Sequence, residues 1–115
     1  MDDHQLLDVT RVSHILKLLG DPTRLMMMKL LQSHDCCVCE FVEIFNMSQP
    51  AISQHVRKLK DAELVQEERR GQWVFYSLRK EQQDYSFVTT ILGQLPDPKR
   101  LVEKLEAQGL RISCT

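Results

Sequence analysis

No run of about 18 apolar residues occurs in this 115-residue chain, so no segment is expected to span a bilayer. The opening stretch, MDDHQLLDVT, is acidic and lacks the apolar core of a secretory leader. The chain is therefore expected in the cytoplasm, where thiols stay reduced. A Gly-rich phosphate loop, an HExxH helix and a nucleophile elbow are all missing, which removes the usual marks of an enzyme. Internal repeats and low-complexity tracts are missing as well. Net positive charge is absent too: the formal charge of −1 excludes a bulk polycation and leaves only a local basic face for nucleic acid. With 43% hydrophobic residues, residues 1–115 suit one domain with a modest core. A domain this small gains from burying more area against a second copy, so a dimer is expected.

Thiols, by contrast, are concentrated. Three of the 4 cysteines, Cys36, Cys37 and Cys39, fall within DCCVCEF. Adjacent and next-but-one cysteines are poorly placed to bridge each other. Reduced thiols that bind a soft metal or react with oxidants are the expectation, with burial as ordinary core residues the plain alternative.

Apolar periodicity organises the rest. Leu6, Val9, Val12, Leu16 and Leu19 recur at helical spacing and end at Gly20. Asp21 caps a second helix with Pro22 in its first position and an apolar set of Leu25, Met26, Met28, Leu30 and Leu31. The Met26–Met28 triplet reads as pliable core filling. A short third helix is expected from Val38 to Phe45, with Val38, Phe41, Val42 and Phe45 on one face. After NMS, Ser48 caps a fourth helix that tolerates Pro50 in its first turn and runs to about Ala62. LVQEERRGQWVFYSL changes to a period of two around Gly71, as a β-hairpin does. Tyr85, Val88, Leu92 and Leu95 mark a fifth helix broken at Pro96, and KRLVEKLEAQ a last one closed by Gly109. Two short helices across a tight turn, followed by a hairpin, describe a mainly α winged helix-turn-helix.

On the fourth helix Ile52, Val56 and Leu59 form the core-facing side. Gln54, Arg57, Lys58 and Asp61 lie on the other, with Ser53 at the border. Gln, Arg and Lys are side chains that bond base edges and phosphates, Pro50 and Gln49 stand near the helix start, which favours phosphate, and Ser48 before them is a further operator-facing candidate. Arg69, Arg70 and Gln72 at the hairpin tip are placed to meet neighbouring backbone or minor groove. A solvated amphipathic helix is the bland alternative, weakened by the turn before it and the basic hairpin after it.

With these residues in view, LGDPTRLMMMKLL, CVCEF, SQPAISQHVRKLKDAELV and RRGQWVFYSL resemble, in order, the ArsR/SmtB family of metal-responsive repressors. The resemblance covers about Leu18 to Leu78. It implies a homodimer built on the first and fifth helices, bound to an operator with an inverted repeat, and released when a metalloid binds. Cys37 and Cys39 match the thiols of the family's CVC element, which points to As(III) or Sb(III) as inducer. Val42 stands where a third thiol can follow, so Cys36 is the candidate replacement. The N-terminal arm offers Asp2, Asp3 and His4 but no thiol of the cadmium type. Asp84 fits a zinc-type site on the fifth helix, yet Ser86 stands where a His is needed, and FVTTILGQLPD has no His.

Trivalent arsenic and antimony prefer soft sulfur ligands. On a regular helix Cys36 and Cys39 share a face, whereas Cys37 and Cys39 diverge. Gathering Cys37 and Cys39 on one ion would then require the start of the third helix to unwind, moving the reading helix beyond NMS. A cadmium-, lead- or zinc-responsive repressor and a thiol redox switch remain alternatives. Cys114 reads as incidental, and His34 as a minor candidate behind the thiols.

Overall fold

Side-chain acceptors start the helices at the front of the chain. The Asp8 carboxylate accepts from the Arg11 N–H at 2.7 Å, starting α1 (Val9–Leu19). The Asp21 carboxylate accepts from the Arg24 N–H at 3.0 Å, starting α2 (Pro22–Ser33) with Pro22 in its first turn. That same N–H holds the Asp21 carboxyl below its ordinary range. The computed structural model describes residues 7–100 and 103. Asp2, Asp3, His4, Leu6, Cys114 and most of the expected last helix lie outside the described residues.

Beyond α2 come β1 (Cys36–Cys37), α3 (Val38–Phe45), α4 (Gln49–Asp61), β2 (Val65–Arg70), β3 (Trp73–Leu78) and α5 (Tyr85–Leu92). The Ser48 hydroxyl accepts from the Ala51 N–H at 3.3 Å and caps α4. Asn46, at φ 53°, takes the left-handed conformation that ends α3 and opens the turn into α4. The hairpin loop is Gly71–Gln72, with Arg70 opposite Trp73 and Gly71 at φ +65°, a conformation that suits glycine. The expected winged helix-turn-helix is present, with one addition: β1 joins the hairpin to make an antiparallel sheet in the order β1-β3-β2. The fifth helix ends at Leu92 rather than at Pro96: past Gly93 the N–H groups of Gln94 and Leu95 close on Ile91 and Leu92, three residues back, and the chain turns.

The core gathers Ile15, Leu18 and Leu19 of α1 with Met27, Met28, Leu30 and Leu31 of α2. Phe41, Ile52, Val56 and Leu59 join it from the helix-turn-helix, and Val88 and Leu92 from α5. The methionines do fill core, with Met27 fully buried beside Met28. On α1 the buried stripe is not the one the sequence suggests first. Ile15, Leu18 and Leu19 face inward, whereas Val9 is 84% and Leu16 51% exposed. The helix carries two apolar faces, and Val9 and Leu16 on one of them stay exposed among the described residues.

An ion pair joins the first helix to the last one described. Arg11 Nη2 and Nε lie 2.6 and 2.7 Å from the Asp84 carboxylate, whose side chain is only 6% exposed. The acid that would serve a zinc-type site on α5 is thus engaged by Arg11. Arg11→Ala leaves that carboxylate desolvated without its cation. A loss of about 1–3 kcal/mol in urea denaturation is expected, and an unchanged midpoint would show the pair contributes little.

Candidate thiol centre and nucleic-acid interface

Of the clustered cysteines only Cys39 lies on a helix, in the first turn of α3. Cys36 and Cys37 are extended and pair antiparallel with β3, Cys36 opposite Tyr76 and Cys37 opposite Phe75. Cys37 is the N-cap of α3, at φ −100° and ψ 168°. This corrects the expectation that its sulfur and that of Cys39 diverge. Helical geometry does not apply across a cap, and the two Sγ atoms stand 2.7 Å apart. No unwinding is needed to bring them together, and Cys36 and Cys39 share no helix face.

Strand alternation separates Cys36 from this pair. Its side chain is 1% exposed within the main core, and its Sγ lies 3.5 Å from the His34 carbonyl oxygen. Cys37 instead packs with Phe75, Cys39 and Trp73 in a cluster of its own. Cys39 takes part in a further interaction besides its contact with Cys37. Among the described residues, no three His, Cys, Asp or Glu side chains converge on a common point.

Glu40 explains the conformation of residue 37. Its carboxylate accepts from the Cys37 N–H at 3.0 Å, and the Cys37 side chain accepts from the Glu40 N–H. This is a capping box with a thiol in place of the usual hydroxyl. The Cys-x-x-Glu spacing was present in the sequence and is the one signal that would have revealed it. Burial pushes the Cys37 thiol above its ordinary pKa, and the Glu40 carboxylate adds to this against the opposing N–H groups of Glu40 and Cys39. A soft cation binding there must displace the proton.

The sulfur pair opens into a groove of about 360 Å³ lined by Cys37, Val38, Cys39, Val42, Gln49, Trp73 and Val74. Its walls therefore include the first residue of α4 and the tip end of the wing. The remaining candidates of the reading face lie on the outer side of α4. Ser48, Gln49, Ser53, Gln54, Arg57 and Lys58 are exposed, while Ile52, Val56 and Leu59 anchor the opposite side. A second groove, of about 530 Å³, runs between α4 and the wing past Ser53, Gln54, Arg57 and Tyr76.

The wing arginines differ. Arg69 is exposed. Arg70 is bound on two sides, to Glu68 at 2.6 Å and to Asp35 at 2.7 Å. Its guanidinium also lies 4.6 Å from the centre of the Phe75 ring. Sequence reasoning did not anticipate this tether, nor the contact between Arg24 Nη1 and His55 Nδ1 at 3.1 Å. Since arginine only donates, that His55 nitrogen accepts, and it fixes α4 to α2.

A reading helix set by a tight turn after α3, with a hairpin beside it, defines a winged-helix DNA-binding regulator. Comparison with known proteins gives the family. Residues 21–67 match the pattern described as "Bacterial regulatory protein, arsR family". The arsenical resistance operon repressor of Staphylococcus xylosus is 42% identical over 74 residues, covering 64% of this chain and 71% of that protein. The transcriptional repressor SdpR of Bacillus subtilis is 39% identical over 67 residues, covering 58% and 74%. The crystal structure of the repressor BigR from Xylella fastidiosa superposes with a TM-score of 0.67 at 27% identity, covering 75% of this chain and 84% of that one. The chain belongs to the ArsR family and is a DNA-binding transcriptional repressor, not an enzyme. Among the described residues no helix is long and apolar enough to cross a membrane.

Proposed function

We propose that this repressor leaves its operator when trivalent arsenic or antimony binds the sulfurs of Cys37 and Cys39. The observation that carries the reading is the shared groove, which places both sulfurs beside Gln49 at the head of the reading helix and Trp73 and Val74 of the wing. Cys37 and Cys39 would hold the ion between Gln49 of α4 and Trp73 and Val74 of the wing, so that its binding would bear on both DNA-facing elements at once. The ligand then favours a conformation that the operator does not, and release follows from that difference in affinity. The arsenical resistance repressor among the relatives supports this choice of ligand. Cys36 belongs to the core in this reading, because its side chain is buried on the far face of β1.

The working unit is a cytoplasmic homodimer of this single domain, 1–115, joined through α1 and α5. The exposed Val9 and Leu16 supply an apolar surface for that contact. Two copies present two reading helices to an inverted repeat, with Ser48, Gln49, Ser53, Gln54, Arg57, Lys58 and Arg69 toward DNA. Arg70 holds the wing to the thiol strand and serves the interface from behind.

Anisotropy of labelled DNA from upstream of the chain's own gene tests this under reducing conditions. Apo binding should weaken with salt at a slope of about −0.9 per phosphate neutralised. Arsenite and antimonite should free the DNA at lower concentration than cadmium or lead. The reverse order would replace this reading with a divalent-metal sensor. The 2.7 Å sulfur separation also favours a second reading, oxidation of Cys37 and Cys39 to a disulfide. Release by diamide, without release by arsenite, would select it.

A further inference from the structure

We infer that Glu40 is the positioning residue of the sulfur pair: its carboxylate keeps Cys37 out of α3 and so holds the two sulfurs together. This rests on the reading that Cys37 and Cys39 receive the inducer. Glu40 is 1% exposed, in a core where a carboxylate is costly to bury. What it gains is the Cys37 N–H at 3.0 Å, a donor that α3 itself leaves without a partner.

That bond decides which way residue 37 folds. As the cap, Cys37 is extended, paired with Phe75 and directed toward Cys39. Drawn into the helix as its first residue, it would stand two positions from Cys39, where side chains on a helix diverge. The carboxylate thus acts on the position of the sulfurs chiefly through the Cys37 backbone. A glutamine reaches equally far and accepts the same hydrogen bond. Aspartate keeps the charge but is one methylene short.

The test uses the full chain with Cys36→Ala and Cys114→Ser, so that only the pair reacts. The probe is dibromobimane, which fluoresces once it has joined two sulfurs. Each C–Br bond gives way to a C–S bond, with bromide leaving and the thiol proton passing to solvent. Rates are divided by the rate of single alkylation with monobromobimane. Glu40→Ala and Glu40→Asp should cross-link about tenfold more slowly than the parent, the factor set by losing a cap. Glu40→Gln should stay within about twofold of the parent, since glutamine also completes a capping box. A residue that only stabilised the fold would lower the melting temperature and leave this ratio alone. Cross-linking of folded Glu40→Asp at the parent rate overturns the proposal, as does slow cross-linking of Glu40→Gln. Arsenite titration of the same variants, followed by sulfur charge-transfer absorbance, separates the two readings. If the parent binds no arsenite yet the cross-linking pattern holds, the ligand is wrong and the positioning role stands.

Discussion

Cys37→Ser should give a repressor that still binds its operator and that arsenite no longer removes. Serine is among the best N-cap residues, so α3 should start where it does now. What the substitution takes away is one soft ligand, and a hydroxyl does not replace it for arsenic or antimony. Cys39→Ser should behave alike, since each sulfur is half of the pair. The arsenite concentration for half-release should rise by more than the roughly 10–100-fold that losing an outer-shell partner costs a metal site. Cys36→Ser makes the contrast. Its side chain is 1% exposed in the main core, so it should lower stability while the arsenite response persists. Half-release at the parent concentration in both Cys37→Ser and Cys39→Ser would place the sensing site elsewhere.

The largest expected loss of stability is from Phe41→Ala. This ring is fully buried, stands 6.0 Å from the Phe45 ring, and anchors α3 to the rest of the core. Removing it should cost about 3–5 kcal/mol, a large share of the roughly 5–15 kcal/mol that holds a domain of this kind together. Thermal unfolding followed by circular dichroism should show a fall of some tens of degrees, at about 4–8 °C per kcal/mol. The loss should extend to DNA binding, because α3 sets the position of the turn into α4. A shift of only a few degrees would show that the surrounding side chains refill the space, and that α3 is held mainly by its neighbours in the sheet.

Much of the fold was legible because its signals are local. Asp21, Pro22 and Ser48 mark helix starts by chemistry confined to one turn, and Gly71 marks the hairpin by its backbone freedom alone. The reading face of α4 followed from Ile52, Val56 and Leu59 recurring on the opposite side. The cysteine cluster was visible in the sequence, but its geometry was not. Cys36 and Cys37 pair with β3, some forty residues later in the chain, and that pairing acts beside the Glu40 cap to keep them extended. Local helical spacing carries no trace of that pairing. The exchange of apolar faces on α1 has a similar cause. Val9 and Leu16 are as hydrophobic as Ile15 and Leu18, and only the packing of α2 and α5 decides which stripe turns inward. Arg69 and Arg70 likewise read as equivalent until Asp35 and Glu68 are found beside one of them.

The pairing of β1 with β3 has a mechanical consequence. A wing of two strands could swing about its own root, independent of whatever occupies the sulfurs. Here the residue that bears one sulfur is stitched to the same strand that carries the tip, so an inducer acting as proposed would pull on the blade through Cys37. Under the proposed release mechanism, the reciprocity of linked equilibria requires that DNA gripping that blade loosen the hold on the inducer by an equal factor.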